Sequence, residues 1–348
     1  MEPIELVREC LGEAEHTLDI TALGFSLKNT LLTHRRFKQA IGLMAELHHY
    51  SRKNAHGGGL LITGLSGVGK TTISKYYRDL FPRSVLSGYT RIPVVHVTMP
   101  PAPTRDSVAE SILMALGDPT SSRGSAEQKT LRIVQLFKSC EVELLILDEF
   151  NHICYAPSIT HFSGIINWFK NLIGMTELGV VLFGLPEAEL VIKSSKQLNR
   201  RFSARHKITP FDLQEEDDFR EFRSLLKAFE SSLPIPVETP LHEANLARRF
   251  WVSSNGLIDY VSKTLEGAVS LALMSGHQKL DLEAYAAGFR KQVWSDVGDR
   301  LNPFNPESPL RPLTKPGEPF HGGDTAHMIG SPLARRLITG QPKRLANG

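Results

Sequence analysis

The chain has 348 residues, 41% of them hydrophobic and 22% charged, an ordinary balance for a globular protein and enough length for two cores. Its formal net charge of +3 is concentrated in residues 302–348, which hold six Lys/Arg and three Asp/Glu. The remainder is neutral, so no overall basic field attracts nucleic acid and any such contact must use local patches. No apolar run has the length of a membrane span, and Met1-Glu2-Pro3-Ile4-Glu5 does not read as a signal peptide. The three cysteines, Cys10, Cys140 and Cys154, match no metal spacing and read as packing residues in a reducing, cytoplasmic setting.

Residues 1–50 read as a mostly helical segment, with an apolar stripe from Phe37 through Ile41, Leu43, Met44 and Leu47. Ser51 to Gly59 reads as a polar approach to a buried strand, Leu60-Leu61-Ile62-Thr63. Next comes Gly64-Leu65-Ser66-Gly67-Val68-Gly69-Lys70-Thr71, a complete G-x-x-x-x-G-K-[ST] phosphate loop, and a helix from Thr72 to Leu80 stopped by Pro82. Glycines there let backbone N–H groups close on a triphosphate at a helix start that carries partial positive charge. Gly64 to Thr72 are therefore the expected ATP-binding residues, with Lys70 on the β- and γ-phosphates and the Thr71 hydroxyl on Mg²⁺.

A second strand is expected at residues 93–98. Met99-Pro100-Pro101-Ala102-Pro103 excludes helix, and Thr104 caps a helix that runs to Leu116 and ends at Gly117. A polar loop over 118–129 leads to a helix from Leu131 to Cys140. Leu144-Leu145-Ile146-Leu147 is a continuous apolar run ending in Asp148-Glu149, the pattern of a central parallel strand covered on both faces. Asp148 at its carboxyl end suits the Mg²⁺ water shell, and Glu149 suits a base that activates water against the γ-phosphate. Asn151 and His152 read as a polar cluster at a helix start, with water orientation or relay of nucleotide state as the alternative. A helix over 162–173, a strand at 179–184 and a strand at 206–209 complete an α/β core with a parallel sheet between helical layers.

From Asp212 the pattern turns all-helical. Asp212-Leu213-Gln214-Glu215 reads as a capping box, and helices are expected from there and at 240–251, 256–275 and 281–294. Residues 302–348 contain 8 of the 21 prolines and 6 of the 27 glycines and read as a disordered tail that binds a partner. The expected domains are thus 1–50 (helical), 51–211 (P-loop ATPase core), 212–301 (helical lid) and 302–348 (tail). Trp168, Trp251 and Trp294 lie among apolar neighbours and read as core.

The order and spacing of several stretches resemble the TniB/TnsC family of transposon-encoded AAA+ regulators, related to the phage Mu B protein. The resemblance runs from about His34 to Leu273. It is carried by the phosphate loop, by Thr33-His34-Arg35-Arg36-Phe37, by Ile92 to Pro101, and by Ile146-Leu147-Asp148-Glu149-Phe150-Asn151-His152. Gly184-Leu185-Pro186-Glu187-Ala188 and Gln197-Leu198-Asn199-Arg200-Arg201-Phe202 add to it.

This resemblance implies a three-layer AAA+ core with a helical lid, and an ATPase that assembles as a ring or filament on duplex DNA. It also implies partnership with a transposase and with a TniQ-like or CRISPR-associated targeting factor. It implies a trans-acting arginine finger, for which Arg201 is the first choice and Arg200 and Arg205 the alternatives. The planar, permanently charged guanidinium suits several phosphate oxygens at once. DNA phosphates are expected at Thr104, Arg105, Ser107, Arg123 and Lys129. His34 to Arg36 border either the adenine or solvent. Departures are visible as well: Gly184-Leu185 offers no polar sensor at the end of the fourth strand, and Asn255-Gly256-Leu257-Ile258 supplies no lid arginine. A helicase-loading AAA+ ATPase and a signalling or secretion switch that never meets DNA are the competing functions.

Overall fold

The computed structural model describes residues 25–27, 34–54 and 57–322. They divide into two compact units, 36–209 and 210–322, the second including Phe25 to Leu27 and His34 to Arg35.

In the first unit, α1 (Arg35–Asn54) runs seven residues beyond Leu47, into the stretch expected as a polar approach. Then follow β1 (Gly59–Gly64), α2 (Lys70–Asp79), β2 (Ser84–Leu86), β3 (Tyr89–Arg91), β4 (Val94–Thr98), α3 (Arg105–Leu116) and α4 (Ala126–Ser139). After β5 (Leu144–Asp148) comes a 3-10 turn (Phe150–Tyr155). Next are α5 (Ile159–Thr176), β6 (Gly179–Gly184), α6 (Ala188–Lys193), α7 (Lys196–Arg201) and β7 (Ala204–Ile208). The main sheet has the order β4-β5-β6-β1-β7, and every pairing in it is parallel.

Alternation along the strands sorts the layers. Leu61, Val95, Val97, Leu145, Leu147, Val180 and Leu182 join the apolar cluster built with Val108, Ile112, Ile133, Phe137, Ile165 and Phe169 of α3, α4 and α5. On the opposite face His96 meets Ser74 of α2, and α2 in turn holds α1 through Tyr77 and His48. β1, β5 and β6 are buried along their whole length, and because they pair in parallel their carboxyl ends share one edge of the sheet, where they carry the phosphate loop and the acid pair.

Two local features escape the sequence pattern. Helix α4 starts at Ala126 inside the expected polar loop, because Ser125 and Gln128 form a reciprocal capping box. A short antiparallel hairpin, β2–β3, precedes β4. By contrast α3 has the expected ends: Thr104 caps it with Ser107, and Gly117 closes it at φ 84°.

The second unit contains α8 (Glu216–Glu230), α9 (Ala244–Ser254), α10 (Ile258–Met274) and α11 (Leu282–Gln292). The expected capping box at 212–215 does not form. Asp212 instead accepts a hydrogen bond from its near neighbour Gln214 N–H, and Glu215 makes no side-chain cap.

The disordered tail is corrected for residues 302–322. Phe304 is buried against Phe250, Tyr285 and Phe289, and Leu313 and Phe320 are buried in the same core. Arg249 donates from Nη1 to the carbonyls of Pro303 and Asn305, each at 2.7 Å, and Asn302 donates to the Ala286 carbonyl at 3.0 Å. This stretch has no regular backbone pairing to offer, and side chains hold it. Residues 323–348, and residues 1–24 of the expected N-terminal helical segment with Cys10, lie outside the described residues.

Candidate nucleotide site

The phosphate loop joins β1 to α2. Gly67 (φ 86°) and Gly69 (φ 92°) adopt the left-handed backbone that side-chain-bearing residues resist, and this turn delivers the chain to the N-terminus of α2. Lys70 is buried, and its ammonium donates to the carbonyls of Gly64 and Leu65, both at 2.8 Å. Burial lowers the Lys70 pKa below the ordinary lysine value, opposed by the charges of Glu149, Asp148 and Glu187. A buried cation among three carboxylates, docked on its own loop, is preorganised for exchange onto phosphate oxygens. Ser66 and Thr72 are exposed, while Leu65, Gly67, Gly69 and Thr71 are half-buried.

Asp148 ends β5 and is 1% exposed. Its Oδ1 accepts from the Glu149 N–H at 2.9 Å, and Ser74 Oγ lies 3.4 Å from its Oδ2. Glu149 is half-buried and takes a left-handed backbone, φ 56°, so that the strand breaks immediately into the 3-10 turn. One acid is thereby sealed and its neighbour is reachable by water.

Asn151 and His152 tie this turn to the neighbouring strands. Asn151 Oδ1 accepts from Leu185 N–H at 3.0 Å just past β6, and His152 Nδ1 lies 2.9 Å from the Met99 carbonyl just past β4. Asn151 is thus a strut to the strand end that lacks a polar sensor.

Three residues escaped the sequence reading. Glu187 is 1% exposed, and its charge acts on Lys70. It stands in a stretch that the sequence marks through the family resemblance without giving Glu187 a role of its own. His96 and Ser74 sit behind Asp148, His96 on β4 and Ser74 on α2. Cys154 is buried with its thiol pushed up to about 12 by burial and then by Glu187, which leaves it a packing residue.

The structure places the three candidate arginines differently. Arg201 is half-buried and donates from Nη2 to the Leu178 carbonyl at 3.2 Å, just before β6 begins, at the strand end away from the phosphate loop. Arg205 is engaged by Asn199, the Phe202 carbonyl and Glu189. Arg200 is exposed and makes no hydrogen bond or ion pair among the described residues.

Of the expected DNA contacts, Lys129 is engaged by α3 of its own chain. Its side chain is 1% exposed and its ammonium lies 3.0 Å from Asp106 and 3.1 Å from Glu110. Thr104 and Ser107 are occupied by their mutual capping of α3. Arg105 is exposed, 3.5 Å from the exposed Glu127, and Arg123 is exposed. His34 is half-buried and lies edge-on to Phe211, Arg35 is exposed, and Arg36 is buried with its Nε 3.3 Å from Thr209 Oγ1. Trp168 and Trp251 are core donors, to Thr130 Oγ1 and the Phe211 carbonyl, and Trp294 packs on the second unit's apolar cluster.

Solved structures share the fold. The Aeropyrum pernix ORC2 protein in its ADPNP–ADP complexes aligns with TM-score 0.60 at 15% identity, over 80% of this chain and 73% of that one. Cdc6p from Pyrobaculum aerophilum aligns with TM-score 0.58 at 15% identity, over 82% and 73%. The Aeropyrum pernix ORC1 protein in complex with DNA aligns with TM-score 0.55 at 15% identity, over 75% and 66%. No curated protein matches the sequence. A parallel sheet of this order with a phosphate loop, an acid pair and an appended helical unit defines a P-loop ATPase of the AAA+ class. Within that class the chain belongs to the TniB family: the family model described as Bacterial TniB protein matches residues 25–210, more than half of the sequence. Among the described residues no helix is long and apolar enough to cross a membrane.

Proposed function

We propose that this protein is an ATP-switched, DNA-binding regulator of transposition. It assembles on duplex target DNA as a ring or filament and links a TniQ-like or CRISPR-associated targeting factor to the transposase. Hydrolysis dissolves the assembly. The observation that carries this reading is a complete phosphate loop and acid pair in a chain of the TniB family. DNA-bound neighbours of the same fold, the Aeropyrum pernix ORC1 protein and Drosophila ORC, support the DNA part.

The chemistry follows from the site. A bound triphosphate replaces the Gly64 and Leu65 carbonyls as the acceptors of Lys70, and the loop's N–H groups and the start of α2 face its charge. The donor set for a metal is oxygen alone, the sealed Asp148 carboxylate and the Thr71 hydroxyl. Such a set fits Mg²⁺, which takes one or two protein oxygens and completes its shell with phosphates and water. When bound, Mg²⁺ supplies positive charge against the phosphate oxygens. Glu149, open to water beside Asp148, orients the attacking water and accepts its proton. The cation given to a neighbouring subunit's γ-phosphate is assigned to Arg200, the unengaged member of the arginine cluster. Arg105 and Arg123 remain as phosphate contacts for DNA, sequence-independent in character. ATP between subunits favours the assembled state because it contributes contacts that exist only there.

Fluorescence anisotropy of a labelled duplex tests the reading. Binding is expected with a slowly hydrolysed ATP analogue, weaker by at least tenfold with ADP, and falling steeply with salt. Equal affinity with both nucleotides would remove the switch.

A further inference from the structure

Behind the acid pair lies a small chain of buried polar side chains. His96 of β4 is 5% exposed at its side chain, and Ser74 of α2 is fully buried. His96 Nε2 stands 3.0 Å from Ser74 Oγ, Ser74 Oγ stands 3.4 Å from Asp148 Oδ2, and the direct His96–Asp148 separation is 4.0 Å. The serine hydroxyl also reaches the Thr71 carbonyl at 3.0 Å, one turn back in its own helix.

One hydroxyl proton therefore faces three acceptors: the Thr71 carbonyl, Asp148 and an unprotonated Nε2. Placing a proton on Nε2 removes one of them. His96 then donates to Ser74, and the Ser74 proton is left with two acceptors, the Thr71 carbonyl at 3.0 Å and Asp148 Oδ2 at 3.4 Å, of which the ionised carboxylate is the stronger. Asp148 Oδ1 is already held by the Glu149 N–H, so a bond at Oδ2 anchors the second oxygen. Strand register makes this possible, since Thr98 pairs with Asp148 and His96 lies two residues earlier on the same face.

We propose that His96 and Ser74 are positioning residues for the magnesium-holding carboxylate: His96 Nε2–H donates to Ser74 Oγ, and Ser74 O–H donates to Asp148 Oδ2, fixing the orientation in which Asp148 presents its remaining lone pairs. This inference rests on the magnesium reading given above. Burial lowers the His96 pKa, which favours the neutral ring, with Asp148 pulling the other way. A neutral ring orients the carboxylate without adding a positive charge that would repel a metal. Outer-sphere partners of this kind commonly carry about 10- to 100-fold in metal affinity.

The test is nucleotide binding read with and without metal. A fluorescent, non-hydrolysable ATP analogue is titrated into wild type, His96→Leu, His96→Gln and Ser74→Ala, first in EDTA and then over a Mg²⁺ series. Affinity in EDTA is expected to stay within about twofold of wild type. The Mg²⁺ concentration giving half of the metal-dependent gain is expected to rise about tenfold or more in His96→Leu and in Ser74→Ala. The double variant should be no worse than either single one, because the two act in series. His96→Gln, whose amide can still donate, should recover most of the response. Unchanged Mg²⁺ dependence in both single variants would overturn the proposal, as would an equal loss of affinity in EDTA and in Mg²⁺, which marks a packing defect. Ser74→Ala keeps the test open if His96→Leu does not fold, since Ala suits a helix interior. A wild type that ignores Mg²⁺ would overturn the magnesium reading itself, and this inference with it.

Discussion

Replacing Phe304 with Ala would show whether residues 302–322 belong to the helical unit. The ring is 1% exposed, with centroids 4.9 Å from Phe250, 5.6 Å from Tyr285 and 6.4 Å from Phe289. Truncating a fully buried Phe costs about 3–5 kcal/mol from lost transfer energy and the cavity left behind. Three aromatic walls cannot close over that space, and the neighbouring chain is pinned by Arg249, so little relaxation is available. Against a typical domain stability of about 5–15 kcal/mol, this loss is large. At several degrees per kcal/mol, the unfolding transition of the helical unit should fall by at least about 10 °C. Scanning calorimetry combined with tryptophan fluorescence reads it, because Trp251 and Trp294 belong to this unit and Trp168 to the other. Val85→Ala, in the exposed hairpin, serves as control and should stay within about 0.5 kcal/mol of wild type. A shift below about 2 °C in Phe304→Ala would refute the packed C-terminal stretch.

Three further outcomes follow from the site. Glu149→Gln should retain nucleotide binding while turnover falls by at least about 100-fold, seen as phosphate release and as assemblies that persist after ATP is added. Normal turnover would remove Glu149 from catalysis. Arg200→Ala should lower DNA-stimulated ATPase by about 100-fold or more without altering the melting temperature, whereas Arg201→Ala should lower the melting temperature through its lost contact with Leu178. The reverse pattern would return the finger to Arg201. Lys129→Gln should leave the salt slope of DNA binding unchanged, because its ammonium is engaged by Asp106 and Glu110, and should cost a few degrees of stability. A slope reduced by about one would identify Lys129 as a phosphate contact after all.

The legible parts of this molecule are those in which a single segment carries its own signal. β1, β5 and β6 are buried on both faces, so each appears as an unbroken apolar run, and α3 carries a cap at each end. The phosphate loop and Asp148-Glu149 are contiguous motifs of the same kind. What stayed hidden depends on pairs distant in sequence. Lys129 reads in the sequence as a phosphate contact, and nothing local shows that α3 supplies Asp106 and Glu110, one turn apart, on the face toward it. His96 looks like an interruption of an apolar strand until α2 brings Ser74 beside it. Arg200 and Arg201 are adjacent and chemically identical, and only a short helix decides which of them turns toward Leu178. Residues 302–322 have the composition of a flexible linker, yet three widely spaced side chains, Phe304, Leu313 and Phe320, are buried in the helical unit's core and anchor the stretch. The capping box of α4 was readable from Ser125 and Gln128 and was masked by the polar run around it.

The central claim is that ATP bound at the phosphate loop drives assembly on DNA. Negative-stain imaging of the purified protein with duplex DNA tests it most directly, comparing a slowly hydrolysed ATP analogue with ADP and wild type with Lys70→Ala. Rings or filaments on DNA only for wild type with the ATP analogue are the predicted result. Monomers in every condition, or identical assemblies with ADP and in Lys70→Ala, would contradict it.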